Sequence, residues 1–278
     1  MSLSVFAAVL LAAAMHASWN ALVRFATDRF ASMLLLALTQ GGFAILLLPF
    51  VPLPARAAWP FVALGALLHT GYKLFLIRAY AHGDLSQVYP LARGTAPLLV
   101  ALAGFVFLGE RLGPQAMLSV AMIGVGVVVM TGAGGTVRLP ARAILYALAT
   151  AAFTAAYTLA DAAGARVAGT AIGFAAWMFV VDGIAMTAYA LATRGPAVLA
   201  SLRPGLRNGA IAGALSLGSY AIVIWAFTKA PVAMVAALRE TSVLFAVAIA
   251  ALLLGERVAP RRWAAAIVIA AGVATMRL

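Results

Sequence analysis

The sequence lacks cysteine altogether, and few of its residues are charged. Without cysteine the chain has no disulfide framework, no thiolate nucleophile and no cysteine metal site. It also has no Gly-rich loop ending in Lys-Ser or Lys-Thr, so nothing supports direct use of ATP. Charged residues make up 9% of the 278 positions, against about 25% in soluble globular domains. The low charge content therefore excludes an ordinary soluble domain.

The charge that is present is mostly positive. Lys and Arg outnumber Asp and Glu by 19 to 7, which gives a formal net charge of +12. These basic residues stand singly between apolar runs, as residues that flank membrane spans do. We therefore expect no nucleic-acid partner. No Lys or Arg precedes the first apolar run, from Val5 to Met15, which favours a first membrane span over a secretory signal.

Apolar residues dominate the rest of the chain, at 65% of all positions with a mean hydropathy of +1.08. A helix of about 20 apolar residues crosses a bilayer, and runs of this length are separated here by Arg, Pro, Gly and Asp. The pattern predicts an all-α integral membrane protein with ten spans. These spans lie near residues 3–23, 31–50, 58–79, 87–108, 115–132, 141–160, 171–192, 208–227, 232–254 and 262–277.

The second half of the chain repeats the first. Arg93 lies 146 positions before Arg239, and Trp19 lies 138 positions before Tyr157. Further matching pairs keep the same order, and the offset grows only at the loops. A single match would be chance, but a colinear set indicates an internal duplication.

The matches predict two five-span repeats, residues 1–135 and 136–278. Because five is an odd number, the second repeat enters the membrane inverted, and both termini lie on one side. Many secondary transporters follow this plan, with binding sites near the midplane between the repeats. Most loop arginines fall on the side opposite the termini, so the positive-inside rule places the termini outside.

Short motifs add a resemblance to a known family. Trp19 and Asn20 lie in the first span, and Gly-Glu-Arg at 109–111 closes the fourth span and recurs at 255–257. With ten spans in two units, these motifs resemble the EamA type of the drug/metabolite transporter superfamily over nearly the whole chain. The stretch Tyr-Pro-Leu-Ala-Arg-Gly from Tyr89 also resembles a branch associated with phosphonate utilisation. The resemblance implies a permease with cytoplasmic termini, which contradicts the loop charges.

Arg93 and Arg239 are the leading candidates for substrate binding. Each lies inside an apolar span, where a charged side chain costs about 2.5–3.5 kcal/mol and by default marks a functional position. The inverted plan predicts that the two guanidinium groups flank the membrane midplane. Tyr89, one turn before Arg93, is expected to assist it, while Pro90 and Pro97 leave carbonyls without helical partners. The alternative is that both arginines snorkel or tie helices together.

Two acidic residues inside the spans, Glu240 and Asp182, are predicted to act in coupling or gating. Glu240 matches a glycine in the first repeat, so it is free to neutralise Arg93 or to carry a proton. Asp182 lies mid-span and matches Gln40. For Glu240 the alternative is a purely structural ion pair.

Polar and aromatic residues on three further spans are predicted to line the cavity. His69 and Lys73 are one turn apart on the third span. Trp19 and Asn20 share one face of the first span, and Tyr157 occupies the matching face of the sixth. The alternatives are a lysine that reaches the interface and hydrogen-bonding seams between helices. The spacing of the histidines indicates no metal site, and no cofactor is expected.

Together these patterns predict a secondary transporter for a small anionic or zwitterionic metabolite, such as an amino acid or organic anion, which works by alternating access. A lipid or polyprenyl-phosphate flippase and a membrane enzyme acting on lipid headgroups stay open as alternatives. No histidine pairs with an acidic residue by spacing, which counts against the enzyme. The expected partners are a small-molecule substrate and the lipid bilayer, and the expected state is a monomer or homodimer in the bacterial inner membrane.

Overall fold

The computed structural model describes residues 1–23, 28–82, 85–132, 140–252 and 259–277. Within these ranges the chain forms α-helices and short 3-10 turns, without a strand. The all-α prediction is confirmed. The α-helices are α1 (Leu3–Val23), α2 (Arg29–Leu47), α3 (Trp59–His82), α4 (Leu85–Leu108), α5 (Pro114–Gly132), α6 (Ala141–Val167), α7 (Ala171–Arg194), α8 (Ala197–Ala200), α9 (Leu206–Phe227), α10 (Val232–Arg239), α11 (Ser242–Leu252) and α12 (Pro260–Thr275).

Eight helical segments of the described chain are long and apolar enough to cross a membrane. A further segment, Pro114–Val129 in α5, is apolar but shorter. Large apolar side chains such as Phe107 and Leu67 are exposed on the outer surface, as a lipid-facing surface requires. The multi-pass membrane character is thus confirmed, while eight segments rather than the predicted ten reach full length.

The ninth predicted span is not one continuous helix. α10 ends at Arg239, and α11 begins at Ser242. Between them the amides of Glu240 and Thr241 bond to carbonyls three residues back, and the Thr241 hydroxyl donates to the Leu238 carbonyl at 2.7 Å. This tighter 3-10 geometry interrupts the α-helix at the point where two charged residues, Arg239 and Glu240, lie in the protein interior. Membrane proteins place such broken helices beside cavities.

α4 runs without a break through Pro90 and Pro97. Each proline removes one hydrogen bond to the carbonyl four residues earlier. For Pro97 that carbonyl belongs to Arg93, so the backbone oxygen of Arg93 loses its helical donor. The prolines therefore alter hydrogen bonding along α4 but do not divide the helix.

Helices of the first half pack mainly against helices of the second. α2 packs along α7, and α5 packs along α12. The contact of α3 with α6 has a counterpart in that of α9 with α1, and the contact of α4 with α6 has one in that of α10 and α11 with α1. Exchanging the two halves thus reproduces these contacts.

Glycines allow the closest approach in the α2–α7 pair. A Cβ atom on Gly41 would lie 3.2 Å from the carbonyl oxygen of Phe179, and one on Gly183 would lie 3.1 Å from that of Ala37. The two contacts are reciprocal, because Phe179 and Gly183 each lie 142 positions after Ala37 and Gly41. Along this contact the residue numbers rise on α2 as they fall on α7, so the two helices run antiparallel.

The α5–α12 pair also approaches closely at glycines and makes a reciprocal contact, with a different sequence offset between the two halves. A Cβ atom on Gly126 would lie 3.3 Å from the Ala265 carbonyl oxygen, and one on Gly272 would lie 3.1 Å from that of Ser119. Ala265 and Gly272 follow Ser119 and Gly126 by 146 positions. A reciprocal, antiparallel contact of this kind is what a local two-fold axis perpendicular to the helices produces.

Candidate functional site

A central cavity of about 90 Å³ lies between the two halves. Seven of the eight predicted substrate-binding residues line it, and the side chain of the eighth, Tyr89, lies outside the described part of the structure. Two residues predicted for coupling, Glu240 and Asp182, contact the lining from behind. The predicted residues in the lining are Trp19, Asn20, His69, Lys73, Arg93, Tyr157 and Arg239.

The cavity is off-centre along the membrane normal. Its lining residues Asn20 and Tyr80 lie close to the ends of α1 and α3, and Met33 lies close to the start of α2. The cavity therefore reaches the end of the bundle where α1 and α3 finish, which we call the cavity end. The opposite end, where α1 and α3 begin, is called the clamp end.

Arg93 and Arg239 meet around a single carboxylate. The Nε atom of Arg93 lies 3.1 Å from Oε2 of Glu240, and Nη2 of Arg239 lies 3.8 Å from Oε1. All three side chains are at most 5% exposed, so the arginines do not snorkel to an interface. Two permanent positive charges share one negative charge, which leaves this cluster with a net charge of +1.

Two donors of the lining have no acceptor among the described residues. These are the buried Nε atom of Arg239 and the indole Nε1 of Trp19. The ring of His16 lies nearly perpendicular to that of Trp19, with the ring centroids 5.0 Å apart. Its Nε2 atom lies 3.3 Å from Nη2 of Arg93. Since guanidinium only donates, Nε2 of His16 accepts and carries no hydrogen. Buried donors without acceptors are rare in proteins, and an anionic ligand would supply the acceptors.

Lys73 forms a neutral pair behind the wall of the cavity. Its Nζ atom lies 2.5 Å from Oδ2 of Asp182, whose Oδ1 accepts from the Thr70 hydroxyl at 3.0 Å. Asp182 is fully buried. Because the two charges cancel, Lys73 adds a donor to the lining but no uncompensated charge.

A second acidic centre was not among the predicted site residues. Asp161 on α6 is fully buried and accepts from the Tyr220 hydroxyl at 2.7 Å, while Nε2 of His69 lies 2.9 Å from the same oxygen. Tyr157 stacks on the His69 ring with centroids 4.0 Å apart. Sequence spacing did not indicate this histidine–acid pair, because the partners lie 92 positions apart. The available signal was a lone acid inside an apolar span.

Other lining residues were also missed as site residues. Gln40 on α2 donates from Nε2 to the Ser216 hydroxyl on α9 at 2.9 Å, which ties the two halves together. The polar members of this set are recognisable in the sequence as polar residues inside apolar spans. The lining residues outside the prediction are His16, Met33, Leu36, Gln40, Tyr72, Leu76, Tyr80, Phe179, Ser216, Ser219 and Tyr220.

Glu110 and Arg166 tie helix ends together at the clamp end. Nη2 of Arg166 donates to Oε1 of Glu110 at 2.5 Å, and its Nε donates to the Phe227 carbonyl at 3.0 Å. Oε2 of Glu110 accepts from the Val232 amide at 2.8 Å. Gly109, with φ of +64°, ends α4 in a left-handed conformation and so positions Glu110. These contacts join the α4–α5 loop, α6 and the α9–α10 loop.

At the cavity end, Asp28 caps α2 and pairs with the end of α7. Its Oδ1 accepts from the amides of Phe30 and Ala31 at 2.9 and 3.1 Å, and its Oδ2 lies 3.0 Å from Nη1 of Arg194. Partial burial acts to raise the pKa of Asp28, but the Ala31 amide, Arg194 and the Phe30 amide outweigh it and lower the pKa below its ordinary value. Both side chains are about half exposed, so this contact is weaker than the clamp.

The sequence profile of the EamA-like transporter family matches residues 3–132 and 141–278. The chain belongs to the EamA-like transporter family. The match falls into two segments, one on each half of the chain, and this is a family of membrane transporters in the drug/metabolite superfamily. No curated protein matches the chain. Among the described residues no group of three His, Asp or Glu side chains could hold a metal ion.

A solved structure shares the fold of this EamA-like chain. Its printed title is "Crystal structure of protein", and it is 20% identical with a TM-score of 0.77. The similarity covers 98% of this chain and 94% of that one. At this identity the similarity extends to the fold alone.

Proposed function

We propose that this EamA-like protein is a secondary transporter that moves a small anionic or zwitterionic metabolite through the central cavity. The observation that carries the proposal is the +1 cluster of Arg93, Arg239 and Glu240 in the wall of a cavity inside the membrane. An uncompensated charge in this environment is costly. A bound carboxylate, phosphate or phosphonate would offset that cost and would accept hydrogen bonds from the arginines.

The two donors without acceptors in the described part of the chain indicate where the anion would bind. Nε of Arg239 and Nε1 of Trp19 are both buried and both belong to cavity-lining residues. Arg93 belongs to the first half of the chain and Arg239 to the second, so an anion bound between the two arginines would contact both repeats. The aromatic rings of Trp19 and Tyr157 would then contact the apolar part of the substrate. An amino acid or related organic anion fits this combination, and a phosphonate would use the same donors.

An inverted-repeat architecture of ten spans accounts for the contacts between the two halves. The reciprocal antiparallel approaches of Gly41 with Gly183 and of Gly126 with Ala265 support a two-fold axis in the membrane plane. The repeat units would be residues 1–135 and 136–278, with both termini on one side of the membrane. Rocking one unit against the other around a fixed site is the usual basis of alternating access in such proteins.

The two ends of the bundle support a state in which the site faces the cavity end. The cavity reaches that end, while the Glu110–Arg166 pair and its backbone contacts tie the clamp end together. For the substrate to leave on the other side, the clamp must open and the contact between Asp28 and Arg194 must tighten. We place Glu240 and Asp182 in this switch, because each joins helices that belong to different repeats.

The proposed setting is the inner membrane of a bacterium, with the protein as monomer or homodimer and without a cofactor. Transport is tested with purified protein in liposomes that contain no other protein. A thermal-shift screen with amino acids, organic acids and phosphonates selects compounds that stabilise the protein, and radiolabelled forms of these compounds are then followed into the liposomes. We expect saturable uptake of at least one stabilising anion. Chemical conversion of that anion, or movement of labelled lipid without any solute uptake, would contradict the proposal.

A further inference from the structure

The three buried carboxylates of the described interior have different partners. Glu240 and Asp182 each contact arginine or lysine. Asp161 has neither among the described residues, and its partners are His69 and Tyr220. Among these three carboxylates, Asp161 is therefore the one that is not paired with an arginine or a lysine. Such a charge inside a membrane protein is costly unless a proton neutralises it.

The contact geometry identifies the atom that would take up this proton. An ionised carboxylate can only accept, so the hydrogen in the 2.9 Å contact between Oδ2 of Asp161 and Nε2 of His69 belongs to the imidazole. The other ring nitrogen, Nδ1, is then the one that can bind a further proton. The His69 ring lines the cavity, so a proton can arrive from that side. A proton on Nδ1 turns the pair into imidazolium and carboxylate, which carry no net charge together.

We propose that His69 and Asp161 form the proton-binding site that couples transport to the proton gradient. One proton from the solution at the cavity end adds to Nδ1 of His69, crosses with the substrate and leaves when the clamp end opens. This coupling role rests on the proposed transport function, whereas proton binding by the pair does not. The site differs from the residues predicted for coupling, because Glu240 and Asp182 are each paired with an arginine or a lysine.

The surroundings link this proton to the anion. The stacked ring of Tyr157 favours a cationic His69, since aromatic faces attract positive charge. The guanidinium of Arg239 lies 5.8 Å from the centroid of the Tyr220 ring, and that centroid lies 5.1 Å from the centroid of His69, so Arg239 opposes a second positive charge nearby. An anion bound at the arginines would reduce that repulsion. Anion and proton therefore favour each other's binding, as symport requires. Lys73, one turn after His69 on α3, pairs with Asp182, so these two charges cancel.

Nuclear magnetic resonance of the ring nitrogens tests proton binding directly. The chain has 3 histidines, so nitrogen-15 labelling of histidine alone gives a spectrum that single substitutions can assign. The protein is studied in lipid nanodiscs from pH 5 to 9 without added anion. We expect the His69 signal, identified by its loss in His69→Gln, to change from neutral to doubly protonated within this range. His82, at the end of α3, serves as the internal control.

Two variants distinguish a coupled pair from an isolated histidine. Asp161→Asn removes the negative partner and should lower the midpoint of the His69 titration by at least about one pH unit. Tyr220→Phe retains every charge but removes the hydroxyl that stabilises the ionised carboxylate, so it should raise the midpoint. The second variant keeps the test valid if the first does not fold.

The proposal is overturned if His69 stays in one protonation state from pH 5 to 9, or if the midpoint is the same in wild type and Tyr220→Phe. Both readouts are made without anion. They therefore fail or succeed independently of the anion site at Arg93. If the titration is found but an imposed pH gradient does not drive uptake of the screened anion, proton binding stands and coupling is excluded.

Discussion

The Nε atom of Arg93 lies 3.1 Å from a carboxylate oxygen of Glu240, although the two residues are 147 positions apart. One stands on the proline-containing helix α4, and the other stands at the break between α10 and α11. Each element belongs to a different half of the chain, so this ion pair joins the halves beside the cavity. Any relative movement of the halves changes it.

Removing the carboxylate of Glu240 should lower the stability of the protein but strengthen anion binding. Glu240→Gln leaves both arginines uncompensated, and loss of one partner from a buried ion pair typically costs about 3–5 kcal/mol. We expect a lower Tm in the absence of anion and tighter binding of the stabilising anion. Both are read in one thermal titration.

A second substitution provides the control for this result. Glu240→Gln combined with Arg239→Gln returns the cluster to its wild-type net charge of +1 and removes the repulsion between the two arginines, so it should recover part of the lost Tm. An anion affinity that falls in Glu240→Gln would contradict the role assigned to the cluster.

The clamp is expected to control access from its own end. The chain has no cysteine, so the substitution Ala230→Cys, at a position that is 9% exposed beside the clamp, gives a single labelling site. Arg166→Ala removes the ion pair and two donors to backbone carbonyls. In that background we expect the introduced thiol to react faster with a water-soluble maleimide, because the clamp end opens more often.

Arg194→Ala, which breaks the contact at the cavity end, is the matched control. It should leave the labelling rate of the introduced thiol unchanged or lower it. Equal acceleration by both variants would mean that the contacts stabilise the fold in general and do not act as separate gates.

Asp28 gives a pH dependence outside the membrane spans. Its folded pKa lies below the ordinary value of 3.8, so the stability that its charge contributes is present above about pH 4 and is lost as the pH falls through the folded pKa. Asp28→Asn retains an N-cap residue and removes only the charge. The Tm difference between wild type and Asp28→Asn should be small at pH 7, in favour of wild type, and should shrink as the pH falls below about 4. A difference that stays the same from pH 7 into this acidic range would assign the effect to the cap.

Asp28→Ala separates the cap from the charge. It also removes the acceptor for the Phe30 and Ala31 amides, and loss of such a cap costs about 0.5–2 kcal/mol. Its Tm should therefore lie below that of Asp28→Asn at every pH.

The helical class, the membrane character and most helix bounds could be predicted because apolar runs of spanning length leave few other folds. The duplication also pointed to Arg93 and Arg239, since matched charges inside matched spans are easy to recognise. The break at Glu240 was not visible, because no proline or glycine stands there and the turn depends on hydrogen bonds to Ala237 and Leu238.

Contacts over long sequence distances account for the rest of what was missed. Asp161 approaches His69 only because α3 and α6 pack closely at Gly65, where a Cβ atom would meet the Asp161 carboxylate. Glu110 was recognised only as part of the Gly-Glu-Arg motif that closes the fourth span. Its partner Arg166 and the Val232 amide come from other parts of the chain, and spacing within one motif does not reveal them.

The anion site at Arg93 is the centre of this account, and its most direct test is the dissociation constant of the stabilising anion for Arg93 variants. Arg93→Ala should bind about ten- to a hundredfold more weakly, because a hydrogen-bonded contact to a charged group contributes about 1.5–3 kcal/mol. The anion affinity of Arg93→Lys should lie between those of wild type and Arg93→Ala, since lysine cannot form two parallel hydrogen bonds to the anion. Arg203→Ala, at an exposed arginine, should bind like wild type. If Arg93→Ala folds normally and binds the anion with wild-type affinity, Arg93 only joins helices and the anionic substrate is contradicted.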